Sequence, residues 1–342
     1  MEWKGKKVLN HCPKIARLSP VNGDMVAVVV DDGGSIMLNN QSENSPWFHI
    51  KMSDDVSDID FFPGFDSSVV ETQTMLVSSR NRPIQLVHTS DGSVLSAYTA
   101  YSFTEEIVHP LSVKFDPSSC ATIIGGFPSS TVRVWDVQRP GRQVRDLVFA
   151  TRKEDTKSIK GIVGAVNYWN SDTVFAGTYS GSFGLFDIRD KEKGMVFGQK
   201  SVFGSVVQIE SFANQVVTNH RNEDKSLRLW DVRNPDTPVV EFDRSFSNHQ
   251  RSTFGLLKNG EFIVAGDIGG NLTVFSTLSG QRVADVPVSP GVPTVAVHAT
   301  QNKVVVGSGC RVFDPVISDD SDDSDAESTT SSFRVDFYTI SL

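Results

Sequence analysis

One eight-residue pattern constrains this chain more than any other feature, because the sequence keeps returning to it. Ser130-Thr-Val-Arg-Val-Trp-Asp-Val137 comes back as Ser226-Leu-Arg-Leu-Trp-Asp-Val-Arg233, and in looser form as Ser182-Phe-Gly-Leu-Phe-Asp-Ile-Arg189 and Asn271-Leu-Thr-Val-Phe-Ser276. Each copy alternates apolar and polar residues, the period of a strand with one buried face. Each ends in an aromatic, followed by Asp in three of the four. Small-residue turns (Ser129-Ser130, Ser180-Gly181, Gly269-Gly270) precede three of them, as a tight hairpin requires.

Trp135, Phe186, Trp230 and Phe275 lie 51, 44 and 45 residues apart. Val87 and Asn39 extend the register backwards in steps of 48, and Tyr338 extends it forwards by 63 residues. That last interval holds an acidic insertion. Seven units of about 40–45 residues, closed in the best copies by Trp-Asp, are the signature of a WD-repeat propeller. The predicted fold is therefore all-β: one seven-bladed WD-repeat β-propeller over residues 1–342. The first strand, at about residues 3–9, has no partner in its own repeat. It is expected to complete the last blade and close the ring, which removes two unpaired sheet edges. The expected blades begin near residues 15, 56, 107, 158, 204, 251 and 294.

The formal net charge is −9, but six acidic residues fall within 319–327 and leave only −3 for the rest. No apolar residue in 319–325 could bury that tract, so 314–332 is expected to be a disordered acidic loop inside the last blade. Basic residues gather elsewhere, at Arg80/Arg82, Arg139/Arg142, Arg152/Lys153 and Arg244/Arg251. No apolar run approaches membrane-spanning length, and the amino terminus lacks the apolar core of a signal peptide. A chain that stays inside the cell is expected, with no membrane partner. Cys12, Cys120 and Cys310 share no metal-like spacing and read as reduced thiols.

No phosphate-cradling Gly-Lys-Ser/Thr loop, His-Glu-x-x-His, Cys-x-x-Cys or Gly-x-Ser-x-Gly occurs. The seven histidines are scattered at nearly blade spacing and read as turn or core residues. Asp136, Asp187 and Asp231 read as caps of the turns that follow them. The chain is not expected to be an enzyme, and no catalytic residue, cofactor or metal site is assigned. A propeller without chemistry binds with its loops. Loops joining second to third strands and one blade to the next share one face, the top. There the sequence places Arg80, Arg82, Arg221 and Arg251; Arg139 and Arg142 fall on the opposite face. Guanidinium groups pair with phosphate and stack on unpaired bases.

Several of these segments, in order, resemble the telomerase Cajal body protein family, WD-repeat proteins that bind small Cajal body RNAs. Val77-Ser-Ser-Arg-Asn-Arg-Pro-Ile84 is similar to the family's Ser-Ser-Arg-x-x-Pro-Ile loop, and Ala100-Tyr101 is followed by Glu105-Glu106. Thr131-Val-Arg-Val134 with Arg139-Pro-Gly-Arg142, Gly177-Thr-Tyr-Ser-Gly-Ser182, Asn248-His-Gln-Arg251 and Ser308-Gly-Cys-Arg-Val-Phe313 continue the likeness. Cys310 stands where the family has glutamine. The resemblance, that of a distant member, implies a non-catalytic RNA-binding scaffold that recognises box H/ACA small Cajal body RNAs. It implies the H/ACA ribonucleoprotein as partner and the Cajal body of the nucleus as location, the cytoplasm being a second location left open. Telomerase is an expected partner where the host's telomerase RNA carries the matching element, and the protein is expected to be a monomer. Arg80, Arg82, Arg221 and Arg251 become the expected RNA contacts, with Arg139 and Arg142 as second choices.

A competing reading is a protein-binding adaptor. Asp187-Ile-Arg189 and Asp231-Val-Arg233 resemble the doubled Asp-x-Arg box of substrate receptors for cullin-type ubiquitin ligases, which would turn Arg189 and Arg233 toward a partner. A splicing scaffold is a further adaptor reading.

Overall fold

The computed structural model describes residues 2–40, 46–149, 159–190, 194–199, 203–247, 250–288, 291–309 and 333–340. Each repeat forms an antiparallel sheet in which sequential strands are neighbours, and seven such sheets make the ring. The inner strands are Pro13–Leu18, Val56–Phe61, Ser112–Phe115, Val163–Asn170, Val206–Phe212, Phe254–Leu257 and Thr294–Val297. Ring closure is as expected. Glu2–Leu9 pairs antiparallel with Phe333–Thr339, outside Lys303–Ser308, so the first strand is the outer strand of the last blade. The acidic segment 314–332, together with Cys310, Arg152 and Lys153, lies outside the described residues.

The repeating aromatic has a definite physical task. Trp135, Phe186, Trp230 and Phe275 are all fully buried in the wedges between blades. Phe186 stacks on Phe149, and Trp230 meets Phe183 of the neighbouring blade at 5.0 Å between centroids. The acids that follow cap their turns as expected. Backbone N–H groups of Gln138, Arg189 and Arg233 donate to Asp136, Asp187 and Asp231 at 2.9, 2.8 and 2.9 Å. The loop after Trp135 adds a feature that the period does not announce. Gly141–Arg142 pairs in parallel with Tyr98–Thr99, adding a fifth strand to blade two and covering its outer edge.

Blade five carries a buried polar chain. The Trp230 Nε1–H donates to Thr218 Oγ1 at 2.8 Å, and Thr218 lies 2.9 Å from His220 Nε2. His220 Nδ1 lies 2.8 Å from the carbonyl of Gly204, which only accepts, so the proton sits on Nδ1 and Nε2 receives the threonine hydroxyl. Burial pushes the His220 pKa down to about 4, with the nearby Arg228 charge adding to the effect. A second proton on Nε2 would turn it from acceptor into donor against that hydroxyl.

A histidine with a folded pKa below its unfolded value contributes stability above about pH 6.5 and loses it as pH falls toward 4. Urea titrations between pH 7.5 and 4.5 should therefore show a His220-dependent slope of up to about 1.4 kcal/mol per pH unit. In His220→Gln that component disappears, so the gap between variant and parent narrows as the solution is acidified.

Candidate nucleic-acid interface at the top of the ring

The strand order sorts the arginines between the two ends of the ring. Arg80 and Arg82 occupy the turn between Thr74–Ser79 and Ile84–His88 in blade two. Arg221 occupies the corresponding turn of blade five, and Arg251 enters the inner strand of blade six. All four belong to the top. Arg139, Arg189 and Arg233 follow third strands and belong to the opposite end. Arg142 instead pairs beside Thr99 on the outer edge of blade two.

Acid partners divide the set further. Arg82 pairs with Asp54 at 2.9 Å and Arg139 with Asp136 at 3.6 Å. Arg189 and Arg233 fold back onto Asp187 and Asp231 at 2.7 and 2.6 Å, with Asp172 also on Arg189. These pairs are exposed and screened, so they add little stability and leave the charges accessible. Arg80, Arg142 and Arg221 have no acid within ion-pair distance among the described residues. Arg244, counted above with the basic loops, is interior. Its guanidinium donates to Gly266 O, Asn219 Oδ1 and the hydroxyls of Ser226 and Ser252, and burial pushes its pKa down to about 9.

Arg251 reaches across the channel mouth. Its guanidinium donates to the carbonyl of Ser57 at 2.8 Å and lies 3.6 Å from Asp58, on a blade separated from its own by two others. Asp58 is completely buried and also meets Arg17 of blade one at 3.5 Å. It accepts from Ser112 Oγ and Val113 N of blade three at 2.9 and 3.1 Å. Burial alone would raise the Asp58 pKa; the charges of Arg251 and Arg17 overcome it and hold the carboxyl below its usual range. Asp60, one turn of the pleat deeper, has Lys114 at 3.1 Å as its ion-pair partner, and there burial prevails and its pKa is raised. A channel cavity of about 310 Å³ lies below, lined by Arg17, Asp60, Lys114, Gln208 and Glu210 among others.

At the seam between blades four and five, two guanidinium groups lie over aromatic rings. Arg228 sits 3.4 Å above the Phe203 centroid, buried, with Glu223 and Glu241 at 3.5 and 3.4 Å. Arg221 lies 5.3 Å above Tyr179, half-buried, with its Nε shielded from solvent and making no hydrogen bond. Tyr179 is held from both sides, its N–H donating to Ile162 O at 2.8 Å and its carbonyl accepting from Ser205 Oγ at 2.7 Å. Its ring rests on Gly164, where a Cβ would come within 2.0 Å. Neither Tyr179 nor Phe203 stood out as a site residue in the sequence. The signal was present in the turn Gly177-Thr-Tyr-Ser-Gly-Ser182, which places Tyr179 where the copies ending at Trp135 and Phe275 have Pro128 and Ile268.

No protein-family model matches the chain. Its sequence is 25% identical over 282 residues to telomerase Cajal body protein 1 of Mus musculus, covering 80% of this chain and 52% of that protein. The Homo sapiens protein of the same name is 25% identical over 280 residues, covering 80% and 50%. The Drosophila melanogaster homolog is 26% identical over 235 residues, covering 66% and 41%. The chain is a distant relative of the telomerase Cajal body proteins. It spans about half the length of the curated relatives it matches. Those names point to a nuclear body and lend nothing to the cytoplasmic location left open above.

The buried Asp58 cluster makes Arg251 part of the scaffold of this distant relative. Asp58→Asn should cost on the order of 3–5 kcal/mol in chemical denaturation, because two arginines lose their buried counter-charge. Arg82→Gln, which breaks only an exposed pair, should stay within about 0.5 kcal/mol of the parent.

Proposed function

We propose that this propeller is a non-catalytic RNA-binding scaffold of the nuclear Cajal body, recognising box H/ACA small Cajal body RNA with the top of the ring. The observation that carries this reading is the state of the top arginines. Among the described residues neither Arg80 nor Arg221 has an acid within ion-pair distance, and Arg221 is backed by an aromatic ring. Such groups pair with phosphate oxygens and offer a flat cationic surface to unstacked bases. RNA loops are read through splayed bases, stacking and backbone contacts, which needs a shallow face with separated anchors and no groove-filling helix. Blades two and five stand across the ring from each other, so their loops would touch points well apart on one RNA. The relatives' names support the same assignment, since they place those proteins with telomerase and the Cajal body. The H/ACA ribonucleoprotein, and telomerase where its RNA carries the element, follow as the partners of this reading.

Ultraviolet crosslinking of the tagged protein followed by sequencing should return H/ACA-type RNAs. Arg80→Glu with Arg82→Glu should lower affinity for such an RNA by about tenfold or more at moderate salt, with a shallower dependence of affinity on salt. Arg189→Glu with Arg233→Glu, at the other end of the ring, should leave the crosslinks intact. Background-level crosslinking of the parent protein would overturn the assignment.

A further inference from the structure

We infer that Tyr179 and Arg221 form a stacking subsite for one unpaired base, distinct in role from the phosphate-directed Arg80; the inference rests on the RNA-binding reading above. The two guanidinium–ring stacks at the seam between blades four and five provide an internal comparison. Arg228 over Phe203 is buried and neutralised by Glu223 and Glu241, which is how such a stack looks when its purpose is packing. Arg221 over Tyr179 has the same components and none of that closure. Among the described residues no acid pairs with Arg221, its Nε is dehydrated without a hydrogen-bond partner, and the tyrosine hydroxyl makes no hydrogen bond.

Arg221 lies 5.3 Å from the Tyr179 ring centroid, farther out than the 3.4 Å of Arg228 over Phe203, and a guanidinium is weakly hydrated, so covering it with a base displaces little tightly bound water. Rigidity supports the same role. The Tyr179 backbone donates to Ile162 O and accepts from the Ser205 hydroxyl, while the Arg221 N–H donates to Ser205 O at 2.8 Å, so the backbones that carry ring and guanidinium are both held by the same residue of blade five. The contact with Gly164 leaves the ring little room to retreat into the blade. A platform ordered before binding loses little entropy when a base lands on it. Arg80, on the opposite side of the ring, is exposed and lies over no aromatic ring among the described residues, the arrangement of a backbone contact.

Fluorescence anisotropy with a labelled RNA hairpin carrying an unpaired loop, beside the same stem closed into a blunt duplex, separates these roles. Arg221→Lys keeps the charge and loses the plane; Tyr179→Leu removes the ring beneath it. Each should weaken loop binding about tenfold or more with an unchanged salt slope, and quenching of a 2-aminopurine placed in the loop should disappear. Arg80→Gln should instead lower the salt slope by about one and weaken both RNAs alike. Loop binding by both Arg221→Lys and Tyr179→Leu at parental strength, with quenching retained, overturns the subsite while leaving RNA binding in place. A parent protein that binds neither RNA overturns the RNA reading and the subsite together. Thermal melting of each variant excludes loss of the fold as the cause.

Discussion

Seven inner strands face a channel with their edges unladdered, and from blade to blade side chains on one strand satisfy the backbone of the next. Asp58 and Asp60 take the N–H groups of Val113 and Phe115 from blade two to blade three. Asn167 donates to Ile209 O between blades four and five, and Gln208 both donates to and accepts from Phe254 between five and six. Thr253 does the same for Val295, and Thr294 Oγ1 accepts from Ala16 N to bring the seventh blade back to the first. Backbone groups turned into a narrow channel would otherwise compete poorly for water. Short polar side chains placed at the right step of the pleat supply the missing partners.

That stitching explains why the top end combines two kinds of arginine. Where a guanidinium faces the channel, as for Arg17 and Arg251, a completely buried carboxylate is available and the charge is absorbed into the scaffold. In the wedge between blades, Arg228 and Arg244 are surrounded by acids, carbonyls and rings. Among the described residues of the top end, Arg80 and Arg221 have no acid within ion-pair distance, and there a ligand's anion or π-face can compete. Binding capacity is thus what remains after the ring has used its charges for closure.

The blade period, the strand alternation and the Trp-Asp turns were all readable in the sequence, and they placed the strands and the caps at Asp136, Asp187 and Asp231 correctly. The assignment of loops to the two ends followed as well, because an antiparallel blade leaves no other choice. The fate of individual arginines did not follow. Arg251 and Asp58 are 193 positions apart in the chain, and no local pattern marks them as partners. Gly141–Arg142 lies on the outer edge of another blade through a parallel pairing that the repeat does not encode. Tyr179 looks like a turn residue until Arg221, from the next blade, is seen above it.

The sequence by itself determined the number of blades, the closing strand and the end of the ring on which each loop emerges, because these depend on short-range periodicity and on chain direction. Only the tertiary structure decided which charges are neutralised and which stay open. That depends on the distance between side chains from blades far apart in the chain, and on whether water reaches them, and ring closure sets both.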